Sequence, residues 1–214
     1  ASSEYVQSTQ DTFFNELTYL YEKLRRDVLA SLKGKDENEA LEMVLALLEA
    51  FREELEQLGD HYISDVYDFQ YGTIFGATFD KTQEYERWLA KAQNWHGRYA
   101  DKFYYDLRYQ IERIFARDAV LDNEVFLDAL FDKEQPRLAM FARECVRKAA
   151  IGGDVGAHVE LGYRYGRWVT SFRNSCHVCI DRHNRVFEID DIFSLYPAHN
   201  NCECVIEFLQ EGEE

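Results

Sequence analysis

Cysteine and histidine crowd the last forty residues of this chain. Cys176 and Cys179 form a Cys-x-x-Cys pair, and after a gap of nineteen residues come His199, Cys202 and Cys204. Thiolate sulfur and neutral imidazole nitrogen are the donors that tetrahedral Zn²⁺ takes, and two short hooks closed by one ion are how small zinc units hold together. Such a site needs four ligands, and five are offered. Cys176, Cys179, His199 and Cys202 are the favoured set, with Cys204 the rival for the last two places. If a strand starts at Cys202, then Cys202, Cys204, Ile206 and Phe208 share one face, because side chains alternate. On that arrangement both cysteines could ligate and His199 would stand behind them. Four protein ligands leave no open position for water or substrate. The expected role is therefore a structural staple, its binding energy of about 10 kcal/mol or more being folding energy.

Other donors read differently. His177 and His183 lie between the hooks and suit exposed or hydrogen-bonding roles. Cys145 stands alone in a helical stretch and reads as a small buried hydrophobe. His158-Val159-Glu160 followed by Cys176 and Cys179 mimics the His-x-Glu and Cys-x-x-Cys signature of zinc deaminases, in which Glu shuttles a proton to and from metal-bound water. Ser175 stands where that signature has proline, the span after Glu160 is short, and His199, Cys202 and Cys204 would have no task.

The 214 residues carry a formal charge of −16, enough chain for one fair-sized domain or two small ones. No stretch approaches the ~20 apolar residues of a membrane span. The N-terminus lacks the features of a signal peptide, and the absent initiator Met suggests trimming or a partly recorded chain. A cytosolic setting is expected, where clustered cysteines hold metal more often than they form disulfides. The acidic balance weighs against nucleic-acid binding by the whole surface. The densest basic stretch, from Arg108, Arg113 and Arg117 to Arg137, Arg143, Arg147 and Lys148, reads as solvated helix faces paired with nearby acids.

Hydrophobic periodicity supplies the elements that position the hooks. Phe13, Leu17, Leu20, Tyr21, Leu24, Val28 and Leu32 mark one face of a helix ended by Gly34, with the first ten residues polar and mobile. A second helix opens near Asp36 and Asn38, runs through Val44, Leu48 and Leu55, and closes at Gly59. Helix is expected again from His61 to about Asp80, with Gly72 and Gly76 inside, and then from near Asp80 through Trp88 to Phe115, with a break possible at Gly97. The Tyr- and Phe-rich stripe between Tyr62 and Phe115 reads as core or subunit contact. A short helical segment over 119–135 carries Val125, Phe126 and Leu130. Pro136 suits the first turn of a helix that Gly152 and Gly153 stop, and another follows from Val155 to Tyr165. Strands are expected at 167–170, 186–189 and 204–208. The fold class is mainly α (α+β): a helical bundle body with a small C-terminal zinc-stapled β unit at 167–209 and a flexible tail at 210–214.

Taken together, Phe141-Ala142-Arg143-Glu144-Cys145 through Gly162, Arg167-Trp168-Val169-Thr170, Cys176-His177-Val178-Cys179, Arg185-Val186-Phe187 and Pro197-Ala198-His199-Asn200-Asn201-Cys202-Glu203-Cys204 resemble the phage Mu F-like family of minor head, or head morphogenesis, proteins. Trp95 and Arg98, read as the start of a long helix, fit its upstream region. The resemblance covers residues 93 to 209 and leaves 1–92 as a helical region for portal or capsid docking or oligomerisation. This chain departs from the pattern in four places. Glu144-Cys145 replaces Thr-Glu, Arg182 to Arg185 fill a turn that usually carries Asp-Gly, Asn200 stands for proline, and Glu203 stands for Arg. The last puts DNA contact at that point in doubt.

The resemblance implies a low-copy structural protein of a tailed-phage virion, at the head interior or portal vertex and in host cytoplasm during assembly. Its partners would be portal or major capsid protein and, weakly, packaged DNA, with no membrane and no catalysis. The family domain is also fused to toxin modules elsewhere, for which no room is apparent after Glu214. The competing expectations are a deaminase-like or toxin-like zinc enzyme and a zinc-ribbon nucleic-acid binder.

Overall fold

A computed structural model describes residues 2–76, 78–117, 123–173, 175–199 and 202–213. It is mainly helical. The helices α1 (Ser2–Ser31), α2 (Glu37–Phe75), α3 (Gln83–Phe115), α4 (Asn123–Glu134) and α5 (Pro136–Glu160) come first. Then β1 (Tyr165–Val169), α6 (His177–Arg182), β2 (Val186–Glu188), α7 (Ile189–Leu195) and β3 (Val205–Leu209) follow. The chain folds as two compact units that alternate in sequence: Ser3–Tyr62 with Gln93–Val146, and Ile63–Ala92 with Arg147 onward. Residues 93–209, the span of the resemblance, contribute to both.

The first unit is built around aromatic rings at helical spacing. Tyr21 sits edge-on to Phe51, Phe103 and Phe131 at 6.2, 6.3 and 5.3 Å between centroids. Its hydroxyl donates to the Phe131 carbonyl at 3.1 Å, which satisfies the polar end of a fully buried ring. Phe13 stacks on Tyr62 at 4.7 Å. Arg25 bridges Asp128 and Asp132 at 2.6 and 2.8 Å. From Ser2 onward the first residues are helical. Val6, Thr9 and Gln10 extend the Phe13 stripe backwards as half-covered positions, and Gln7 donates to Asp11 one turn on. Asp36 accepts from the amides of Asn38 and Glu39, the cap expected at the start of α2.

Three expected glycine stops are absent. Gly59 lies inside α2, where a Cβ would overlap the imidazole of His96 on α3. Gly152 and Gly153 lie inside α5, which runs on to Glu160 and absorbs the separate helix expected from Val155 to Tyr165. A Cβ on Gly153 would fall 2.6 Å from the Tyr67 carbonyl. These glycines thin the helix so that a neighbour can approach, and packing offsets the roughly 1 kcal/mol propensity cost of each. Gly97 likewise makes no break in α3. Gly76 does end α2, at φ +93°. In α4, Val125 is exposed while Leu127, Leu130 and Phe131 are buried. The part of the expected segment over 119–122 lies outside the described residues.

In the second unit, Tyr67, Tyr71, Tyr85 and Trp88 are buried. Thr82 caps α3 by accepting from the Tyr85 amide, and donates to Glu160 at 2.7 Å. The sheet is antiparallel in the order β2-β1-β3, with Trp168 opposite Ile206 and Gly166 opposite both Phe187 and Phe208. Arg167 donates to the Glu213 carbonyl at 3.2 Å. Among the described residues no helix is long and apolar enough to cross a membrane.

Candidate metal centre

Thr170, just past β1, is where the site begins. Cys176 follows at the N-cap of α6, with extended backbone (φ −75°, ψ 165°), and its carbonyl accepts from the Ile180 amide at 3.1 Å. One helical turn then places Cys179 beside Cys176. The second hook leaves α7 through Tyr196 and Pro197, and the Cys202 amide donates to the His199 carbonyl at 3.0 Å. Burial alternates from Cys202 through Glu203, Cys204 and Val205 into β3, so both cysteines face inward as period-two geometry requires.

The five donors converge in two overlapping triads. Cys176, Cys179 and His199 form one, and Cys179, Cys202 and Cys204 the other, with ligand atoms inside each within 4.8 Å of one another. Cys179 is common to both and lies 3.2 Å from His199 Nε2 and 3.7 Å from Cys202 Sγ. Two sulfurs each ~2.3 Å from a tetrahedral Zn²⁺ would stand about 3.8 Å apart. The donor set and this edge length fit a metal ion. All five cysteines of the chain are free thiols.

The surroundings are apolar in the middle and polar at the rim. Trp168 is fully buried among Cys179, Cys202 and Cys204, with Phe187, Leu195, Tyr196 and Ile206 packed round them. The guanidinium of Arg182 covers the Trp168 ring at 5.0 Å and donates to the Leu195 carbonyl. Arg147 donates to the Cys202 carbonyl at 2.9 Å, and Tyr196 Oη to that of Cys204 at 2.6 Å. Thr170 Oγ1 donates to the Cys179 carbonyl at 2.7 Å and lies 3.5 Å from Cys204 Sγ. Lys148 holds the end of α7 by donating to the carbonyls of Phe193 and Tyr196.

The thiols differ in acidity. Backbone amides of α6, that of Cys179 foremost, hold the Cys176 thiol below its ordinary range. Burial pushes Cys179 well above it. At Cys204 burial opposes ionisation, but hydrogen bonds led by Thr170 outweigh it and the net shift is downward. A bound cation would draw all of them towards the thiolate.

The remaining donors stand apart from the cluster. His183 Nδ1 accepts from the Thr170 amide at 3.1 Å, and His177 is exposed. His158 stacks on Phe208 at 3.9 Å and its Nδ1 lies 2.7 Å from the Asp154 carbonyl, while Glu160 accepts from Thr82. Neither belongs to the metal-ligand triads. Cys145 is buried as expected, with His96 Nδ1 3.2 Å from its sulfur. Sequence reading missed Thr170, Arg147 and Lys148. In the sequence the two cations read as solvated charge, and only the fold shows them holding backbone carbonyls.

Comparison with protein-family models, curated proteins and solved structures gave no match to this chain.

Proposed function

We propose that this chain is a structural minor head protein of a tailed phage, of the Mu F-like type, whose C-terminal unit is stapled by one Zn²⁺ ion. The observation that supports it is convergence. Trp168, Cys176, Cys179, Phe187, Ala198, Cys202 and Cys204, scattered over four separate pieces of the resemblance, meet in one cluster with Trp168, Cys179, Cys202 and Cys204 buried at its centre. Cys176, Cys179, His199 and Cys202 hold the ion, and Cys204 stands behind them against Thr170. Zinc supplies no chemistry here beyond cross-linking the hooks. The protein acts through contacts, with portal or major capsid protein as partner, at the head interior or portal vertex, after assembly in host cytoplasm.

Two measurements test this. Metal analysis of the purified protein should return about one zinc per chain, and Cys176→Ser with Cys179→Ser should remove it and unfold the C-terminal sheet while most helical circular dichroism remains. Purification of tagged protein from phage-infected cells should bring portal or capsid protein with it. Absence of any transition metal refutes the staple, and absence of the chain from purified virions and prohead intermediates refutes the head-protein role.

A further inference from the structure

The outward face of α3 carries Arg98, Lys102, Tyr105, Tyr109 and Arg113, and Arg117 follows in the turn that ends the helix. The steps are four, three, four, four and four residues, so all six line one ridge about 28 Å long at 1.5 Å per residue. All are exposed, Tyr105 at 56% and Tyr109 at 58%.

What sets the ridge apart in a chain of charge −16 is the fate of the neighbouring acids. Asp101 is taken by Arg52 at 2.7 Å, Asp106 by Arg137 at 2.9 Å and Glu112 by Arg108 at 2.9 Å. These three acids of α3 are thus spent on arginines off the ridge. Arg98, Lys102, Arg113 and Arg117 make no ion pair among the described residues. Arg113 and Arg117 instead lie over the rings of Tyr109 and Phe126, at 5.7 and 4.8 Å. The basic stretch read from sequence as paired and solvated therefore divides. Arg108 and Arg137 are paired, Arg147 and Lys148 hold backbone, and Arg113 and Arg117 join two upstream cations in a row without ion pairs among the described residues.

We propose that this ridge binds the phosphate backbone of a nucleic acid. Arg, Lys and the tyrosine hydroxyls offer hydrogen-bond donors along the whole row. A repeating anion needs such a row, and charge elsewhere on the surface is screened beyond about 8 Å at physiological salt. None of the ridge residues lines the three described cavities. Folded protein partners anchor aromatic side chains in sockets, and a polyphosphate chain needs none. The inference uses no residue of the Cys/His cluster and stands or falls apart from the head-protein reading.

The test is fluorescence anisotropy of the full zinc-replete chain with a labelled 30-base-pair duplex at 50, 100 and 200 mM salt. Four phosphate contacts give a slope of log Kobs against log salt of about −3.6, a loss of roughly 100-fold over that range. Arg98→Gln with Lys102→Gln should reduce the slope by about two, as should Arg113→Gln with Arg117→Gln, with circular dichroism unchanged. A single strand of equal length with a shallower slope, together with weaker binding by Tyr105→Ala, also supports the ridge and gives the tyrosines a stacking role. No binding at 50 mM salt, or binding whose slope the variants leave intact, overturns it. So does binding of poly-L-glutamate without binding of the duplex, which would make the partner an acidic protein.

Discussion

Thr170 Oγ1 donates to the carbonyl of Cys179 across 2.7 Å, which ties the end of β1 to the first turn of α6. The same oxygen lies 3.5 Å from Cys204 Sγ, at the other hook. One hydroxyl, 4% exposed, therefore touches both halves of the candidate centre. Thr170→Val keeps the shape and deletes the donor, leaving a carbonyl without that partner. It should destabilise the second unit by about 1–3 kcal/mol. Chelator-challenge kinetics should show faster metal loss, while Thr170→Ser restores both properties.

Cys179 is the member common to both donor triads, whereas Cys204 has the Thr170 hydroxyl as its close polar neighbour. Cys179→Ser should abolish stoichiometric metal. Cys204→Ser should retain it with affinity lowered by about 10–100-fold, the usual cost of changing a group behind the ligands. Cobalt substitution read by its thiolate charge-transfer bands counts the sulfurs directly. A spectrum of three sulfurs that survives in Cys204→Ser fits the proposed set, and loss of one sulfur in that variant would move Cys204 into the ligand shell.

His96 is fully buried beside Cys145, and burial pushes its pKa from 6.5 down to about 4, against the pull of the Glu56 and Leu55 backbone. The folded imidazole stays neutral while the unfolded one takes a proton below pH 6.5. Stability is then complete above pH 6.5 and falls as pH drops from 6.5 towards 4, by about 3 kcal/mol in all. Urea midpoints across that window should decline less steeply in His96→Gln than in wild type. Parallel slopes would show that the imidazole does not carry the effect.

Gly59→Ala tests whether close approach or propensity governs α2. Propensity alone favours Ala by about 1 kcal/mol. The overlap of its Cβ with the His96 ring predicts a net loss of roughly 2–3 kcal/mol instead. Pairing Gly59→Ala with His96→Ala should recover part of that loss in a double-mutant cycle.

Asn184 holds φ +61°, and its amide donates to the Trp168 carbonyl at 2.8 Å. It stands in the turn where the resemblance expects Asp-Gly. Asn is among the few residues that take a left-handed backbone at low cost. Asn184→Gly should therefore be neutral within about 0.5 kcal/mol, and Asn184→Val should cost about 1–2 kcal/mol, both readable from thermal denaturation of the second unit.

Much of this is legible in the sequence. Stripes such as Phe13 to Val28 mark helices because burial repeats at 3.6 residues, and the alternation from Cys202 to Phe208 marks a strand edge. The hooks were legible because metal donors are rare residues at short, rigid spacings. The helix ends at Gly59 and Gly153 were misread because a glycine signals either a stop or a close neighbour. Only the partner, His96 in one case and Tyr67 in the other, decides which. Lys148 and Arg147 were misread for a similar reason: a cation bound to carbonyls and one in water look alike in sequence.

The alternation of the two units along the chain has a practical consequence for dissection. Residues 63–92 are an insertion within the first unit, and they supply Tyr67, Tyr71, Tyr85 and Trp88 to the second. A fragment ended near Val146 would keep those four rings without the segment that completes their unit, and would invite aggregation. A fragment begun near Gln93 would carry both metal hooks but lack the same rings. Separating the halves calls for excising 63–92 and bridging the gap, or for rejoining the chain in a new order.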